Sequence, residues 1–411
     1  MYLANPENWL PRLNGLLAEV LPANRFQTER LGPKLICATS EDYRKLPFLT
    51  KKELVADAIA HPPFGTNLTY PLEKYTYYHQ TSGTTGTPLR VLDTGQTWQW
   101  WGRCWIDIFR LAGVTANDRL FFAFSFAPSI GFWSSYHGAV MMGALCIPSG
   151  GASSVQRLRM ILDTGATVLL CTPSYALHLA AVALREGIRL ADSQIRITIH
   201  AGEPGASIPA TRARLEEAWH AHVIDHAGTT EVGPYGLGCP HGHGIHINEA
   251  EFIAEVLDSA TLQPTPAGEI GELILTNLGR VAWPAFRYRT GDLVRPRGGT
   301  CACGSTYLLL EGGILGRADD MITIRGVNVF PSALEDVIRS VSDLAEFRIL
   351  LTRRGEMDEL AIELEETRAV CDEVADRIRM LIGIRVEVLP VTVGSLPRSE
   401  GKARRLLDER K

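Results

Sequence analysis

The stretch ATVLLCTPSYALHLAAVALREG, residues 166–187, places an apolar run of strand length directly before an amphipathic helix. The same pattern recurs in IRITIHAG (195–202), which is followed by IPATRARLEEAWHA (208–221). Strand, loop and helix in repetition predict βαβ units, and therefore an α/β fold with a mostly parallel sheet. Sheets of this kind bind ligands at the carboxyl ends of their strands, where the small-residue loops of this chain fall.

The sequence pattern changes along the chain. Residues 1 to about 70 have a helical pattern, residues 75–230 carry the strand–helix alternation, and residues 250–315 are typical of short strands with turns. The remainder follows the order strand, helix, strand, strand, helix, strand. We predict a large N-terminal domain over residues 1–316, with mostly parallel sheets flanked by helices plus a β-rich subdomain, and a small α+β C-terminal domain over residues 317–411.

Composition excludes several classes of protein. A formal net charge of −5 over 411 residues argues against binding of nucleic acid or of an anionic membrane. Residues 120–156 contain no Asp, Glu, Lys or Arg, but Pro128, Gly131 and Pro148 interrupt them. We therefore predict a buried strand, helix and strand there rather than a membrane span. The start of the chain has no basic flank before an apolar core, so the predicted location is cytoplasmic.

The segment HQTSGTTGTPLR, residues 79–90, is a turn rich in hydroxyls and glycines. Consecutive backbone N–H groups in such a turn can surround anionic oxygens, and Ser and Thr hydroxyls add further donors. The segment contains no lysine, so it is not a Walker P-loop, and Arg90 is its nearest cation. If this turn binds a polyphosphate, neutralising charge has to come from another part of the chain.

Five further segments combine glycine with polar or charged residues. In chain order they are HAGEPG (200–205), DHAGTTEVGPYG (225–236), RYRTGDLV (287–294), GRADDMITIRGVNVFPS (316–332) and LPRSEGKARRL (396–406). An acid in such a turn can hold Mg²⁺ or a ribose hydroxyl, although each segment alone is also compatible with an ordinary turn, helix cap or exposed tail.

Together, TSGTTG and these five segments resemble the adenylate-forming ligases. The segments that resemble the phenylacetate–CoA ligase branch specifically are LPFLTKKEL (46–54), HPPFG (61–65), RGVNVFPSALEDVI (325–338) and RSEGKARRLLD (398–408). The resemblance extends from about residue 45 to the end. It implies ATP-dependent activation of an aromatic carboxylic acid to acyl-AMP, release of pyrophosphate, and transfer to a thiol, with coenzyme A as the expected acceptor. It also implies that the small C-terminal domain is a mobile lid.

Two alternatives stay open from the sequence. An acyl-AMP ligase would deliver the acid to a carrier protein or an amine, as in natural-product biosynthesis. A catalytically inactive nucleotide-binding regulator would keep the fold without the chemistry, but Lys402, Glu231 and Asp292 are all present and argue against it. The expected partners are a small aromatic acid and coenzyme A, without nucleic acid or membrane, and the resemblance implies a homodimer.

The resemblance implies roles for individual residues around ATP. The turn expected around the β- and γ-phosphates consists of Ser82, Gly83, Thr84, Thr85 and Gly86. Thr85 and Glu231 would help to place Mg²⁺, and Asp292 would bind the ribose hydroxyls. The other residues expected at the nucleotide are Glu203, Asp225, His226, Gly228, Thr229, Thr230 and Arg317.

The C-terminal segments have expected roles in catalysis and domain movement. Lys402 would bridge the substrate carboxylate and the α-phosphate, because joining two anions requires a compact positive charge. Asp319 would be the hinge of the lid, and Gly326 would border the coenzyme A channel. The family loop usually has a lysine at the position that Thr87 occupies here.

The acyl pocket is the least specific of the expected sites. The residues that the resemblance places there are Phe132, Tyr136, His137, Ala201 and Gly202. The first three lie on the charge-free helix and could flank an aryl ring, although plain core packing explains them equally well. Trp98, Trp101 and Trp105 share one face of a helix, which favours core packing over a ligand site.

Three of the eight cysteines lie in glycine-rich, histidine-containing surroundings. Cys239 is in GCPHGHGIHI, and Cys301 and Cys303 are in GGTCACGS. Three thiolates and one imidazole are a ligand set that suits tetrahedral Zn²⁺, and a site with four protein ligands is structural. Members of the resembled branch have such a zinc, which implies His246 as the fourth ligand, with His241 and His243 as alternatives.

Overall fold

A computed structural model of the chain describes residues 6–81, 88–126, 128–318, 322–324, 327–329, 331–342, 345–354, 357–397 and 405–410. The N-terminal region is helical and contains α1 (Pro6–Val20), α2 (Arg25–Leu31), α3 (Ser40–Arg44) and α4 (Lys51–Ala60). Trp9 of α1 and Tyr43 of α3 are buried in one cluster with Ile253 and Phe286. The N-terminal helices therefore pack on the β-rich part of the molecule.

Two antiparallel strands flank the TSGTTG turn (81–86), which is called the phosphate-loop motif below. They are β1 (Tyr75–Gln80) and β2 (Arg90–Thr94), and a short 3-10 turn at Leu72–Lys74 precedes them. Parallel neighbours need a long crossover connection, whereas a short loop joins antiparallel strands. The strand–helix alternation therefore begins after this hairpin, later than the pattern from residue 75 onward predicted.

Downstream of the hairpin, strands and helices alternate as predicted. The elements are α5 (Gly95–Leu111), β3 (Arg119–Phe122), α6 (Ile130–Met142), β4 (Leu145–Pro148), α7 (Ser154–Thr164), β5 (Val168–Cys171), α8 (Pro173–Arg185), β6 (Ile197–His200), α9 (Pro209–Trp219) and β7 (His222–Asp225), with a 3-10 turn at Leu190–Asp192. The strands pair in parallel in the order β4-β3-β5-β6-β7. The α/β fold class is confirmed.

The charge-free stretch belongs to this sheet. It forms β3, α6 and β4, as the interrupted apolar pattern predicted. Phe121 and Phe122 of β3 are fully buried in the core of the sheet. Within the described part of the chain, every helix is too short or too polar to cross a bilayer.

The next region is built from antiparallel strands. They are β8 (Gly236–Gly238), β9 (Gly244–Ile247), β10 (Phe252–Leu257), β11 (Gly271–Asn277), β12 (Tyr288–Val294), β13 (Pro296–Arg297), β14 (Leu309–Glu311) and β15 (Gly316–Arg317). One sheet has the order β10-β11-β12-β15 and a second has the order β13-β14-β9-β8. The predicted β-rich subdomain is confirmed.

The C-terminal region has its own core. Its elements are β16 (Ile322–Ile324), β17 (Val327–Val329), α10 (Pro331–Val341), β18 (Phe347–Arg354), β19 (Met357–Leu364), α11 (Arg368–Ile382), β20 (Glu387–Pro390) and β21 (Leu406–Asp408). The main sheet has the order β20-β19-β18-β21, and α10 and α11 contribute Ile338, Val374 and Ile378 to a cluster separate from the other cores. A small α+β unit at the C-terminus is therefore confirmed.

Candidate functional site

The carboxyl ends of β6 and β7 bring two of the predicted segments together. His200 and Asp225, the last residues of these strands, are paired in register, and the backbone N–H of His226 donates to the His200 carbonyl at 2.9 Å. HAGEPG and HAGTTE therefore leave the sheet side by side. Ala201 and Gly202 begin the first segment, and Gly202 has a φ of 96°, a conformation that glycine adopts most readily.

Asp225 is a buried carboxylate at this edge. The Ser207 hydroxyl donates to its Oδ2, and the backbone N–H of His226 donates to its Oδ1 at 2.9 Å. Burial raises the pKa of Asp225 to about 6, and the hydrogen bonds act in the opposite direction. A Cβ at Gly313 would lie 3.1 Å from Asp225 Oδ2, so the glycine allows the connection from β14 to β15 to approach the acid closely. At neutral pH this carboxylate can accept a hydrogen bond from an amino group.

His226 is a neutral imidazole in the same loop. Its ring centroid lies 4.4 Å from that of Trp105, and its Nδ1 lies 2.7 Å from the Gly236 carbonyl oxygen. Because a carbonyl only accepts, Nδ1 carries the proton. Burial lowers the pKa of His226 to about 4, so the ring is uncharged at pH 7 and its Nε2 is an acceptor.

Asp292 stands where β12 and β15 pair. Its Oδ2 accepts a hydrogen bond from the Tyr235 hydroxyl at 3.1 Å, and its Oδ1 accepts one from Arg317 Nη1 at 3.2 Å. Arg317 also donates to the Thr290 carbonyl at 3.2 Å and faces Asp292 in the strand register. The structure therefore brings together two of the predicted nucleotide residues and holds the acid between a phenol and a guanidinium.

The GTTE segment forms a tight turn with Glu231 inside it. The Thr229 N–H donates to the Gly233 carbonyl at 3.1 Å, and the Gly233 N–H donates back to the Thr229 carbonyl at 2.9 Å. A Cβ at Gly228 would lie 3.2 Å from the Gly233 carbonyl oxygen, so the turn leaves little room for a side chain there. The Glu231 side chain is largely buried, and its Oε1 lies 3.1 Å from Lys51 Nζ.

A buried ion pair fixes this turn relative to β2. Arg280 Nε donates to Asp93 Oδ1 at 2.9 Å, both side chains are fully buried, and Arg280 Nη1 donates to the Thr230 carbonyl at 2.7 Å. The guanidinium also lies 5.0 Å from the centroid of the Trp101 ring. The strand that follows the phosphate-loop motif is thereby tied to the turn that carries Glu231.

Glu203 accepts a hydrogen bond from the start of a helix, and its expected role at the nucleotide stays a prediction. Its Oε1 accepts the backbone N–H of Ser174 at 2.9 Å, at the start of α8, where a helix has unpaired N–H groups. The carboxylate is also close enough to Arg405 to influence its pKa. Glu203 therefore connects the HAGEPG loop with α8.

The aromatic residues expected in the acyl pocket do not all face the same way. Phe132 stacks on Phe124 at 3.9 Å, and Tyr136 lies 5.2 Å from Phe122, measured between ring centroids. His137 packs instead against Trp98 of α5 at 5.5 Å. Phe132 and Tyr136 are four residues apart and share a helix face, whereas His137 is rotated away from them.

The tryptophans of α5 belong to the core, as predicted. Trp98, Trp101 and Trp105 are all buried. Trp105 Nε1 donates to the Ser134 hydroxyl of α6 at 2.8 Å. Because the same ring contacts His226, this part of the core supports the nucleotide loop directly.

Several expected residues lie outside the described part of the chain. They are Ser82, Gly83, Thr84, Thr85 and Gly86 of the phosphate loop, the hinge Asp319, the channel residue Gly326 and the catalytic Lys402. Their roles stay predictions.

Four potential metal ligands meet in the second antiparallel sheet. The ligand atoms of Cys239, His246, Cys301 and Cys303 all lie within 4.8 Å of one another. Cys239 Sγ is 3.7 Å from Cys301 Sγ, and Cys303 Sγ is 3.3 Å from His246 Nε2. His246 is buried in β9, opposite Leu309 of β14. The pairing of β9 with β14 brings the distant Cys-x-Cys segment to the histidine.

The surroundings of the cluster fit a metal bound through thiolates. His246 Nδ1 lies 3.1 Å from the Tyr307 carbonyl, which directs Nε2 to the cysteines. The backbone N–H groups of His241 and His243 donate to the Cys239 sulfur, and those of Ala302 and Cys303 donate to the Cys301 sulfur. His241 and His243 are exposed and lie outside the cluster. The donor set is therefore three sulfurs and one nitrogen.

Residues important for the geometry were missed in the sequence. They are Tyr235, which lies in the DHAGTTEVGPYG segment, and Ser207, Asp93 and Arg280, which lie outside all six segments. Their partners are 18 to 187 residues away along the chain. Sequence motifs are local patterns, so they do not predict contacts between residues so far apart in the chain.

Comparison with known proteins agrees with this site. The chain matches the AMP-binding enzyme family over residues 39–279 and the AMP-binding enzyme C-terminal domain over residues 326–410. It is 34% identical to a phenylacetate–coenzyme A ligase of Escherichia coli, covering 90% of this chain and 86% of that protein. It is 31% identical to the phenylacetate–coenzyme A ligase of Thermus thermophilus, covering 98% of this chain and 96% of that protein.

A solved structure extends the comparison to the relative placement of the two parts. The crystal structure of a 2-hydroxyisobutyryl-CoA ligase in its postadenylation state, with a bound acyl-AMP, gives a TM-score of 0.91 at 29% identity over 98% of this chain and 89% of that chain. The same enzyme in its thioesterification state gives a TM-score of 0.74 at 30% identity over 98% and 90%. The chain belongs to the AMP-binding, adenylate-forming enzyme family, in its phenylacetate–CoA ligase-like branch.

Proposed function

We propose that this protein is an ATP-dependent, AMP-forming ligase that joins a carboxylic acid, of the aromatic class, to coenzyme A. A carboxylate oxygen attacks the α-phosphorus of ATP, the bond to the β-phosphate oxygen breaks, and pyrophosphate leaves. The coenzyme A thiol then loses its proton and attacks the acyl carbon, and AMP leaves as the thioester forms. The observation that carries the proposal is the match over 98% of the chain to a phenylacetate–coenzyme A ligase.

In this proposal Asp292 binds the ribose of ATP. A carboxylate can accept hydrogen bonds from both hydroxyls of a ribose. Tyr235 and Arg317 already hold the carboxylate in one orientation, so little ordering is left to occur when the nucleotide binds. Asp225 and the neutral His226 offer acceptors at the carboxyl end of β7, where the base would lie.

Glu231 is the residue that would hold Mg²⁺, with Thr85. A carboxylate supplies oxygen ligands, which Mg²⁺ prefers. The turn that carries Glu231 is held in place by Arg280, which donates a hydrogen bond to the Thr230 carbonyl. When bound, the ion would neutralise charge on the phosphates as pyrophosphate departs. The Lys51 ammonium, 3.1 Å from Glu231 Oε1, shows that the carboxylate is accessible to a cation.

We also propose that the Cys₃His cluster holds a structural Zn²⁺. The four ligand atoms and the hydrogen bond from His246 to Tyr307 suit a closed tetrahedral site. All four positions would be occupied by protein atoms, so the ion would join β8, β9 and the connection from β13 to β14 without contacting substrate.

The C-terminal unit would be a lid, with the boundary between Gly316 and Arg317. Its separate core allows it to move as one body. The higher TM-score to the postadenylation state than to the thioesterification state supports a lid placed for the first half-reaction. Asp336 of α10 accepts the backbone N–H of Ala210 in the first turn of α9. Ile208 provides no side-chain cap for α9, so the lid supplies one.

We expect Asp336→Ala to disturb the first half-reaction selectively. Loss of a helix cap costs about 1 kcal/mol, so acyl-AMP formation should slow by roughly fivefold. The rate of thioester formation from supplied acyl-AMP should stay unchanged or increase, because Asp336 would cap α9 only in the lid position of the first half-reaction. Rapid-quench measurement of each half-reaction gives the comparison. Asp376→Ala, at an acid on α11, is the control, and equal slowing of both half-reactions by Asp336→Ala would contradict this role.

The proposed homodimer has a candidate surface along the edge strand β4. Trp133 and Val140 of α6 and Leu145 of β4 are exposed apolar side chains. Strand edges with apolar neighbours are disposed to pair with a second copy. Light scattering should give twice the monomer mass for the wild type, and Leu145→Lys should shift it to monomer. A monomeric wild type would rule out the dimer.

Two measurements identify the acid and the acceptor. A panel of benzoates, hydroxy- and aminobenzoates, arylacetates and 2-hydroxyisobutyrate should be tested for acid-dependent exchange of pyrophosphate into ATP. The last compound is included because of the structural likeness to its ligase. Mass detection of products with coenzyme A, a carrier protein or amines then separates the acceptors. A preference for 2-hydroxyisobutyrate would replace the aromatic class, and an acyl product only with a carrier protein or amine would replace coenzyme A.

A further inference from the structure

Lys51 places a positive charge beside Glu231. Its ammonium Nζ lies 3.1 Å from Glu231 Oε1, and its side chain is 44% exposed, whereas that of Glu231 is 7% exposed. Lys51 is the first residue of α4, which belongs to the N-terminal helical region. A cation from a distant segment therefore reaches the turn that we assign to Mg²⁺.

The segment that carries Lys51 is fixed on the β-rich sheet. The Leu49 N–H donates to the Arg287 carbonyl at 3.0 Å, and the Arg289 N–H donates to the Leu49 carbonyl at 2.8 Å. Thr50 caps α4, and the Glu53 carboxylate accepts the Thr50 N–H at 2.7 Å. The backbone at Lys51 is thus held from both sides, which places the start of α4 within reach of Glu231.

Lysine is scarce in this chain. The phosphate-loop motif contains no lysine, and the chain has seven lysines, with none between Lys74 and Lys402. Arg90, the nearest cation to the loop in sequence, directs Nη1 to the Pro63 carbonyl at 3.1 Å. Arg280 joins Asp93 of β2 to the Thr230 carbonyl, so β2 and Lys51 both meet the turn that carries Glu231.

We propose that Lys51 binds the terminal phosphates of MgATP and takes the place of the lysine that the family loop usually has. This inference rests on the proposed nucleotide site. In the structure the Lys51 ammonium is paired with the Glu231 carboxylate. When MgATP binds, the carboxylate turns to the metal ion and the three N–H donors of the ammonium turn to phosphate oxygens. An ion pair with one partly exposed member exchanges partners readily, because water already solvates the ammonium.

The test compares Lys51→Met with Lys52→Met by calorimetric titration with MgATP and with AMP. Lys52 is the exposed next residue of the same helix, so its substitution is a matched control. Lys51→Met should weaken MgATP binding by roughly 10- to 100-fold, the range for a hydrogen bond to a charged group, and leave AMP binding unchanged. Lys52→Met should change neither. Equal loss of MgATP and AMP binding, or no loss, would overturn the proposal.

A second pair of variants tests whether Lys51→Met weakens binding only through a general loss of structure. Lys51→Arg keeps the charge and should retain most of the MgATP affinity, and Thr87→Lys in the Lys51→Met background should restore it by returning a lysine to the loop. The titration needs neither acid nor coenzyme A, so it is independent of turnover. If the wild-type protein binds MgATP but shows no acid-dependent exchange of pyrophosphate into ATP, only the proposed ligase function is wrong. Normal MgATP affinity of Lys51→Met in an active enzyme would remove the role of Lys51 alone.

Discussion

Lys402→Ala is expected to abolish acyl-AMP formation while sparing transfer from acyl-AMP to coenzyme A. The first step brings a carboxylate to a polyphosphate, so a compact cation between them lowers the barrier by neutralising charge that develops at the α-phosphorus. Removing a single preorganised donor of this kind costs about 10²–10³-fold in rate. The second step begins from an acyl-AMP already formed and does not need this cation.

The measurement follows each half-reaction separately in a rapid-quench instrument. Lys411→Ala, which removes the other lysine of the C-terminal unit, is the control. Arg405, three residues after Lys402, is held by Glu335 and Glu346 and is electrostatically coupled to Glu203 in the HAGEPG loop. Unchanged pyrophosphate release by Lys402→Ala would refute the assignment.

The second large effect is expected at the cysteine cluster. Cys303→Ser should yield protein that no longer retains one equivalent of zinc and that unfolds at a temperature lower by roughly 10 °C or more, because structural zinc contributes several kcal/mol to folding. The site joins β9 with the connection before β14, so its loss frees a long loop. Metal analysis of purified protein and thermal unfolding give the two readouts.

A cysteine outside the cluster provides the comparison for this variant. Cys146→Ser changes a half-buried thiol of β4 and should leave zinc content unchanged. At a temperature where the Cys303→Ser protein is folded, ATP binding should persist, since a closed site contacts no substrate. If metal analysis finds no zinc in the purified wild-type protein, the zinc proposal is wrong.

The fold was predictable where the hydrophobic pattern is strong. Buried parallel strands such as VLLC and ITIH are continuous apolar runs, and the helices between them are amphipathic, so residues 119–225 were identified correctly. The hairpin of β1 and β2 was not predicted, because the pairing of two strands depends on the loop between them more than on their own pattern. The pairing of β1 with β2 in the folded protein, rather than the local hydrophobic pattern, determines this hairpin.

The site was predictable in its motifs and less so in its contacts. Asp292 and Arg317 were both expected at the nucleotide and meet in the structure. The choice among three histidines at the cysteine cluster needed the structure, since only the pairing of β9 with β14 shows that His246 is the inward residue. The proximity of Lys51 to Glu231 could not be predicted, because it depends on how the N-terminal segment lies on β12.

The central claim is adenylation of an acid, and exchange of labelled pyrophosphate into ATP tests it most directly. The wild-type protein with Mg²⁺ should catalyse this exchange only when a suitable carboxylic acid is present, and Lys402→Ala should not. The exchange requires reversible formation of acyl-AMP at one site, so it reports on the nucleotide, the metal ion and the acid together. Absence of exchange with every acid of the panel, in protein that binds MgATP, would contradict the account.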